Sequence, residues 1–129
     1  MFQQTITIAG QSLPLAYCFA TEIAFTDLSG QNINDFFPSA IESLKAKKMP
    51  DTKLVIFLIV AAALAAAQAE GTDCPIADSD LMYNATPEEL GTALGIVIGL
   101  RAKFYHLPPA DEQQAEAEAA KKGDTQGNS

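Results

Sequence analysis

The sequence predicts an α+β fold, mainly α, with an N-terminal β-hairpin packed on a bundle of about four helices. Three observations carry this. Thr5-Ile6-Thr7-Ile8 alternates polar and apolar, and Leu13-Pro14-Leu15-Ala16-Tyr17 returns after a turn at Ala9-Gly10-Gln11, the pattern of a half-buried hairpin. Leu54 to Ala67 runs fourteen residues without a polar side chain, so a helix there is apolar on every face and has to be covered. Thr86-Pro87-Glu88-Glu89 opens a further helix, with Thr at the cap, Pro in the first turn and Glu at the capping-box position.

The elements follow in order. Pro14 cannot donate to a ladder, so the second strand is an edge or is paired on one side only. Two strands alone are marginal and need a helix over them. Thr21 is positioned to cap a short helix through Leu28, with Gly30 just past its end and Ile23, Phe25 and Leu28 as its apolar residues. Ile33 to Phe37 reads as a turn or short helix stopped by Pro38. Ser39 then caps Ala40 to Lys48, where the terminal lysines suit the negative helix end. Met49-Pro50-Asp51 breaks that helix, and Asp51 or Thr52 caps the apolar one, which runs to Glu70 and stops at Gly71. Gly71 to Asn84 reads as an acidic loop. The last helix should reach about His106, before Pro108-Pro109.

A single globular domain is expected over 1–108, with 109–129 an acidic Ala/Glu-rich flexible tail that has nothing to bury. The core should include Ile56, Ile59, Val60, Leu64, Leu90, Leu94, Val97, Ile98 and Phe104.

Sixteen acidic residues against eight basic ones give a net charge of −8. That balance argues against a nucleic-acid surface, which needs a basic stripe. Cys18 and Cys74 form no disulfide framework and no metal spacing. The N-terminal stretch lacks the basic and apolar regions of a signal peptide, so a cytoplasmic location is expected. His106 is the single histidine, and at a helix end it reads as a C-terminal cap rather than a base. Asp73, Asp78 and Asp80 lack the glycine and terminal Glu of a calcium loop. With no phosphate loop, dinucleotide fingerprint or nucleophile elbow, neither enzymatic activity nor a cofactor nor a metal is expected.

The sharpest local pattern is Gly91, Gly95 and Gly99, spaced four apart on the last helix. Each costs up to ~1 kcal/mol against Ala in a helix interior, and small residues at this spacing make a groove for another helix. The first reading is intramolecular: Ala61, Ala65 and Ala69 of the apolar helix fill the groove, and Gly95→Leu destabilises the fold by overpacking. The second is contact with another chain. Phe36 and Phe37, next to Pro38, read either as an exposed recognition patch or as aromatics that pin a connector to the core.

The order of elements resembles the tail assembly chaperones of long-tailed bacteriophages. The residues that carry the resemblance are Ile6-Thr7-Ile8-Ala9-Gly10-Gln11, Leu15-Ala16-Tyr17-Cys18-Phe19, Phe25-Thr26-Asp27-Leu28-Ser29-Gly30-Gln31 and Asn34-Asp35-Phe36. A long apolar helix and a late helix opened by Thr-Pro-Glu-Glu-Leu complete it, across roughly Thr5 to Leu107. Two departures stand out: the apolar helix is richer in alanine than the family pattern, and glycine occupies late positions where bulky residues are usual. The resemblance implies a non-enzymatic chaperone that binds the tape-measure protein, keeps its apolar helices in solution and assists the tail-tube protein in assembling around it. Self-association into a homo-oligomer is a further expectation, because so apolar a helix is hard to cover in a small domain.

The rival reading is a small holin-like membrane protein with Leu54–Ala67 and Leu90–Leu100 as a helical hairpin. Lysines before the first run and Arg101 with Lys103 after the second agree with one cytoplasmic side. Against it, at 1.5 Å per residue the longer run spans about 21 Å, short of a hydrocarbon core of ~30 Å. A membrane location is therefore not expected.

Overall fold

The structure, a computed structural model, describes residues 1–108; the tail expected over 109–129 lies outside them. An antiparallel hairpin of β1 (Phe2–Ile8) and β2 (Gln11–Tyr17) is followed by α1 (Phe19–Ser29), α2 (Ile33–Lys45), α3 (Thr52–Glu70), α4 (Asp78–Asn84) and α5 (Pro87–Tyr105). The fold is mainly helical, as the sequence predicts.

The hairpin turns through Ala9 and Gly10, both at positive φ (51° and 80°). This pairing of left-handed residues matches the twist of the flanking strands. From the closing pair Ile8–Gln11 the register runs back to Phe2–Tyr17, with Pro14 opposite Thr5. Hydrogen-bonded and non-bonded pairs alternate along such a ladder, and Pro14 occupies a non-bonded position where its missing N–H costs nothing. Leu13, Leu15 and Tyr17 are buried on one face of β2. Ala16 points to the other face and packs with Ala65 and Ala66.

α1 begins three residues earlier than Thr21 as a cap predicts. Cys18 is the N-cap, and Thr21 occupies the third helical position, fully buried. Its hydroxyl donates to the Ala16 carbonyl (2.9 Å) and accepts from the Cys18 amide (3.2 Å). The residue read as a cap therefore ties the strand end to the helix start from inside. Phe25 is buried as expected, but Ile23 is 63% exposed and Leu28 lies on the surface.

α2 runs unbroken from Ile33 to Lys45, where the sequence suggests a turn or short helix stopped by Pro38 and then a helix from Ala40 to Lys48. Asn32 caps it, accepting from the Asn34 amide at 2.8 Å. Pro38 lies inside the helix, where it removes the donor that the Asn34 carbonyl would otherwise bind. Asn34 is exposed, so water can replace that bond. Continuity wins because Ile33, Phe36, Phe37 and Ala40 make one buried stripe, at the i, i+3, i+4, i+7 spacing of a single helical face. Ser39 is exposed in mid-helix and caps nothing.

Asp51 caps α3, its carboxylate accepting from the Lys53 and Leu54 amides (3.0 and 3.4 Å). Gly71 ends it in the left-handed conformation, with φ 73°. Every residue from Val55 to Ala67 except Leu64 is buried. β2, α1, α4 and α5 all pack against this helix, which is how a helix apolar all round is covered. It is the one described helix long and apolar enough to cross a membrane.

Gly71 to Asn84 is not all loop: Asp78–Asn84 forms α4, which buries Leu81. α5 starts as predicted, with Thr86 and Glu89 exchanging capping bonds (2.9 and 3.1 Å). It ends at His106, which caps it at φ 57°. The core contains Ile56, Ile59, Val60, Leu90, Leu94, Val97 and Ile98 as expected. Leu64 and Phe104 are only half-buried.

Candidate partner-binding surface

α5 packs its apolar side on the hairpin and on α3. Leu90, Ala93, Leu94, Val97, Ile98 and Leu100 make that side. The glycine row lies off it, Gly95 and Gly99 being exposed and Gly91 half-buried. Among the described residues, a Cβ at Gly95 or Gly99 meets nothing within 4 Å, and one at Gly91 only the Met49 methyl at 4.0 Å. The intramolecular reading of this row is therefore corrected. Ala61 and Ala65 are buried, but the glycines do not seat them. The two rows share small residues, yet the burial of α5's large side chains on the hairpin decides its rotation and turns the glycines outward.

At its C-terminal end the row opens into a hollow of about 580 Å³ lined by Phe2, Gly99, Ala102, Lys103, His106 and Leu107. Phe2 and Leu107 are exposed at 39% and 37%. Small backbone-level positions flanked by two apolar side chains give a shallow, mostly apolar trough. Lys103 and His106 at its rim are the only groups in that lining with ionisable side chains.

Phe36 and Phe37 are both buried, so the core-pinning alternative holds and neither is presented to a partner. They belong to an aromatic junction that no local sequence pattern reveals in full. Phe36 packs at a tilt on Phe25 (centroids 5.3 Å apart), Phe37 meets Tyr17 edge-on at 6.0 Å, and Tyr17 packs on Phe104 at 5.6 Å. Phe104 in turn meets Phe19 at 5.1 Å. The Arg101 guanidinium lies over the Phe37 ring (4.6 Å) and beside Tyr105 (5.5 Å). Its Nε is sealed from solvent and has no acceptor among the described residues. Glu22 accepts from both the Tyr17 and the Tyr105 hydroxyls. Burial first, and then this bond, hold the Tyr17 phenol well above its ordinary pKa. For Tyr105 the bond to Glu22 is the leading cause of a shift in the same direction. The junction is structural: it clamps the last turn of α5, and with it one end of the glycine trough, to β2, α1 and α2. The alternation of β2 and the four-residue spacing of Arg101 and Tyr105 were visible signals for part of it. Nothing in the sequence pairs either tyrosine with Glu22.

Among the described residues, no three His, Cys, Asp or Glu side chains gather as a metal site would require. Cys18 and Cys74 are free thiols.

No known family, curated protein or solved structure matches the chain. The trough along α5 rests on geometry alone. A second apolar exposure lies on α1, where Phe19 and Ile23, four residues apart, are each 63% exposed.

Proposed function

We propose that this protein is a non-enzymatic binding protein that holds an apolar helix of a partner along the outer face of α5. In the reading that the sequence resemblance favours, it is a phage tail assembly chaperone and the helix belongs to a tape-measure protein. The observation that carries the proposal is the open row of Gly91, Gly95 and Gly99, which leads into the hollow beside Phe2 and Leu107. Three glycines in one helix weaken it by up to ~1 kcal/mol each, and no contact among the described residues offsets that. A partner helix that sinks to the backbone would supply the missing reason. The net charge of −8 suits a carrier that has to keep an apolar client in solution. Release during tube assembly requires only modest contacts, which a shallow trough provides.

Co-expression with the tape-measure protein encoded beside its gene tests the proposal. The expected result is a soluble complex that Gly95→Leu abolishes while the isolated variant stays folded. Insoluble tape-measure protein in the presence of the wild-type chain, or a complex that Gly95→Leu leaves intact, would overturn it. A gene surrounded by metabolic genes would count against the phage assignment while leaving helix binding in place.

A further inference from the structure

The open edge of β1 supports a second interaction. Counting back from the closing pair Ile8–Gln11, Ile8, Ile6, Gln4 and Phe2 direct their backbone groups at β2. Thr7, Thr5 and Gln3 direct theirs away from the hairpin. Among the described residues the sheet has two strands, and the backbone bonds outside it involve none of these three. Gln3, Gln4, Thr5 and Thr7 are all exposed. β1 therefore presents a row of unpaired N–H and C=O groups about seven residues long.

Edges of this kind are normally blunted by a lysine, a proline, a bulge or an inward charge. Phe2-Gln3-Gln4-Thr5-Thr7 and the two isoleucines include none of these: β1 has no charged residue and no proline, and its register to β2 is continuous. In a chain carrying −8 overall, β1 is a stretch where two copies can approach without like-charge repulsion. Its pattern is also self-complementary. An antiparallel pairing centred on Thr5 sets Thr5 against Thr5 and Gln3 against Thr7, each with its outward backbone groups aligned, as a two-fold contact demands. The same register lays the exposed Phe2 across from Ile8 of the other copy.

We infer that β1 is the dimerisation edge, and that a second copy of this chain pairs antiparallel with it to make one four-stranded sheet in the order β2-β1-β1-β2. Growth from two strands to four gives the hairpin the lateral support that an isolated pair lacks. A contact resting on one strand pair is small, so the dimer is weak and concentration-dependent. It shares Phe2 with the hollow beside α5 but does not depend on client binding there.

Sedimentation velocity on the full chain over a wide concentration range, with amide hydrogen exchange followed by NMR on the same samples, tests this. The expected result is a monomer–dimer equilibrium in which the Gln3, Thr5 and Thr7 amides become protected as dimer forms. Thr5→Lys, which puts two like charges face to face, and Thr5→Pro, which deletes the central outward N–H but no bond within the hairpin, should both give a monomer with the wild-type circular dichroism spectrum. If one of these variants fails to fold, the other and the wild-type exchange pattern still decide. A chain that stays monomeric at millimolar concentration, a dimer that leaves those amides unprotected, a dimer that survives Thr5→Lys, or protection of those amides at monomeric mass would each overturn the inference.

Discussion

The hydroxyl of Tyr105, in the last turn of α5, donates to the carboxylate of Glu22 on α1, 83 positions earlier in the chain. The same carboxylate oxygen accepts from Tyr17 at 2.7 Å. One acidic side chain thus joins β2, the helix that follows it and the end of the last helix.

Glu22→Ala should cost about 2 kcal/mol, because hydrogen bonds to a charged group contribute roughly 1.5–3 kcal/mol and the buried Tyr17 hydroxyl would lose its acceptor. Tyr105→Phe removes only the outer, more exposed bond and should cost less than half as much. Urea denaturation of both variants checks the order. Equal losses would mean that the bond to the buried Tyr17 contributes nothing beyond the exposed one.

Both phenols have folded-state pKa values raised above the ordinary value near 10. A group whose folded pKa is raised gives its full stabilisation below the unfolded pKa and loses it as pH climbs toward the folded one. Stability from these two tyrosines is therefore constant through neutral pH and falls above about pH 10. Urea midpoints measured across alkaline pH should drop for the wild type and drop less for Tyr17→Phe. An unchanged alkaline slope in that variant would contradict the assignment.

Gly95→Ala should stabilise the isolated protein by up to ~1 kcal/mol, since the added methyl meets open space and helix propensity improves. Gly95→Leu should also leave the melting temperature level or raised, which reverses the overpacking expected from sequence alone. Gly71→Ala should go the other way by about 1 kcal/mol, because φ there is +73°. Thermal melts of the three variants check the signs.

Arg101→Met should be close to neutral. It loses a cation–π contact worth about 0.5–2 kcal/mol, but it also removes the sealed Nε donor that has no acceptor among the described residues, an unmade bond that costs about 1–3 kcal/mol. Arg101→Ala keeps neither contact nor stem and should be clearly destabilising. Denaturant midpoints of the pair separate charge from packing.

Ala66→Leu should cost about 1–3 kcal/mol by overpacking, since Ala66 is buried against Ala16 of β2. Ala69, exposed on the same helix, should accept leucine with little change. Equal behaviour of the two variants in denaturant titrations would mean that the alanine-rich half of α3 is not there to admit the strand.

The sequence by itself determined the hairpin, the two long helices and their ends, because these rest on local chemistry. Alternation sets the strands, Asp51 and Thr86 supply oxygen to free amides, and Gly71 and His106 accept a left-handed φ. The burial of Val55 to Ala63 was equally legible, since no arrangement leaves so apolar a helix in water. Tertiary structure decided the rest. Pro38 reads locally as a stop because its cost is visible in the sequence, while the buried stripe of Ile33, Phe36, Phe37 and Ala40 that outweighs it depends on a distant core. Thr21 became an internal tie because β2 ends beside it. The direction of the glycine row was not legible either: spacing puts Gly91, Gly95 and Gly99 on one face of α5, but where that face points depends on which neighbours bury Leu94 and Val97. The bridge through Glu22 joins residues that only the completed chain path brings together, and no local rule encodes a contact of that range.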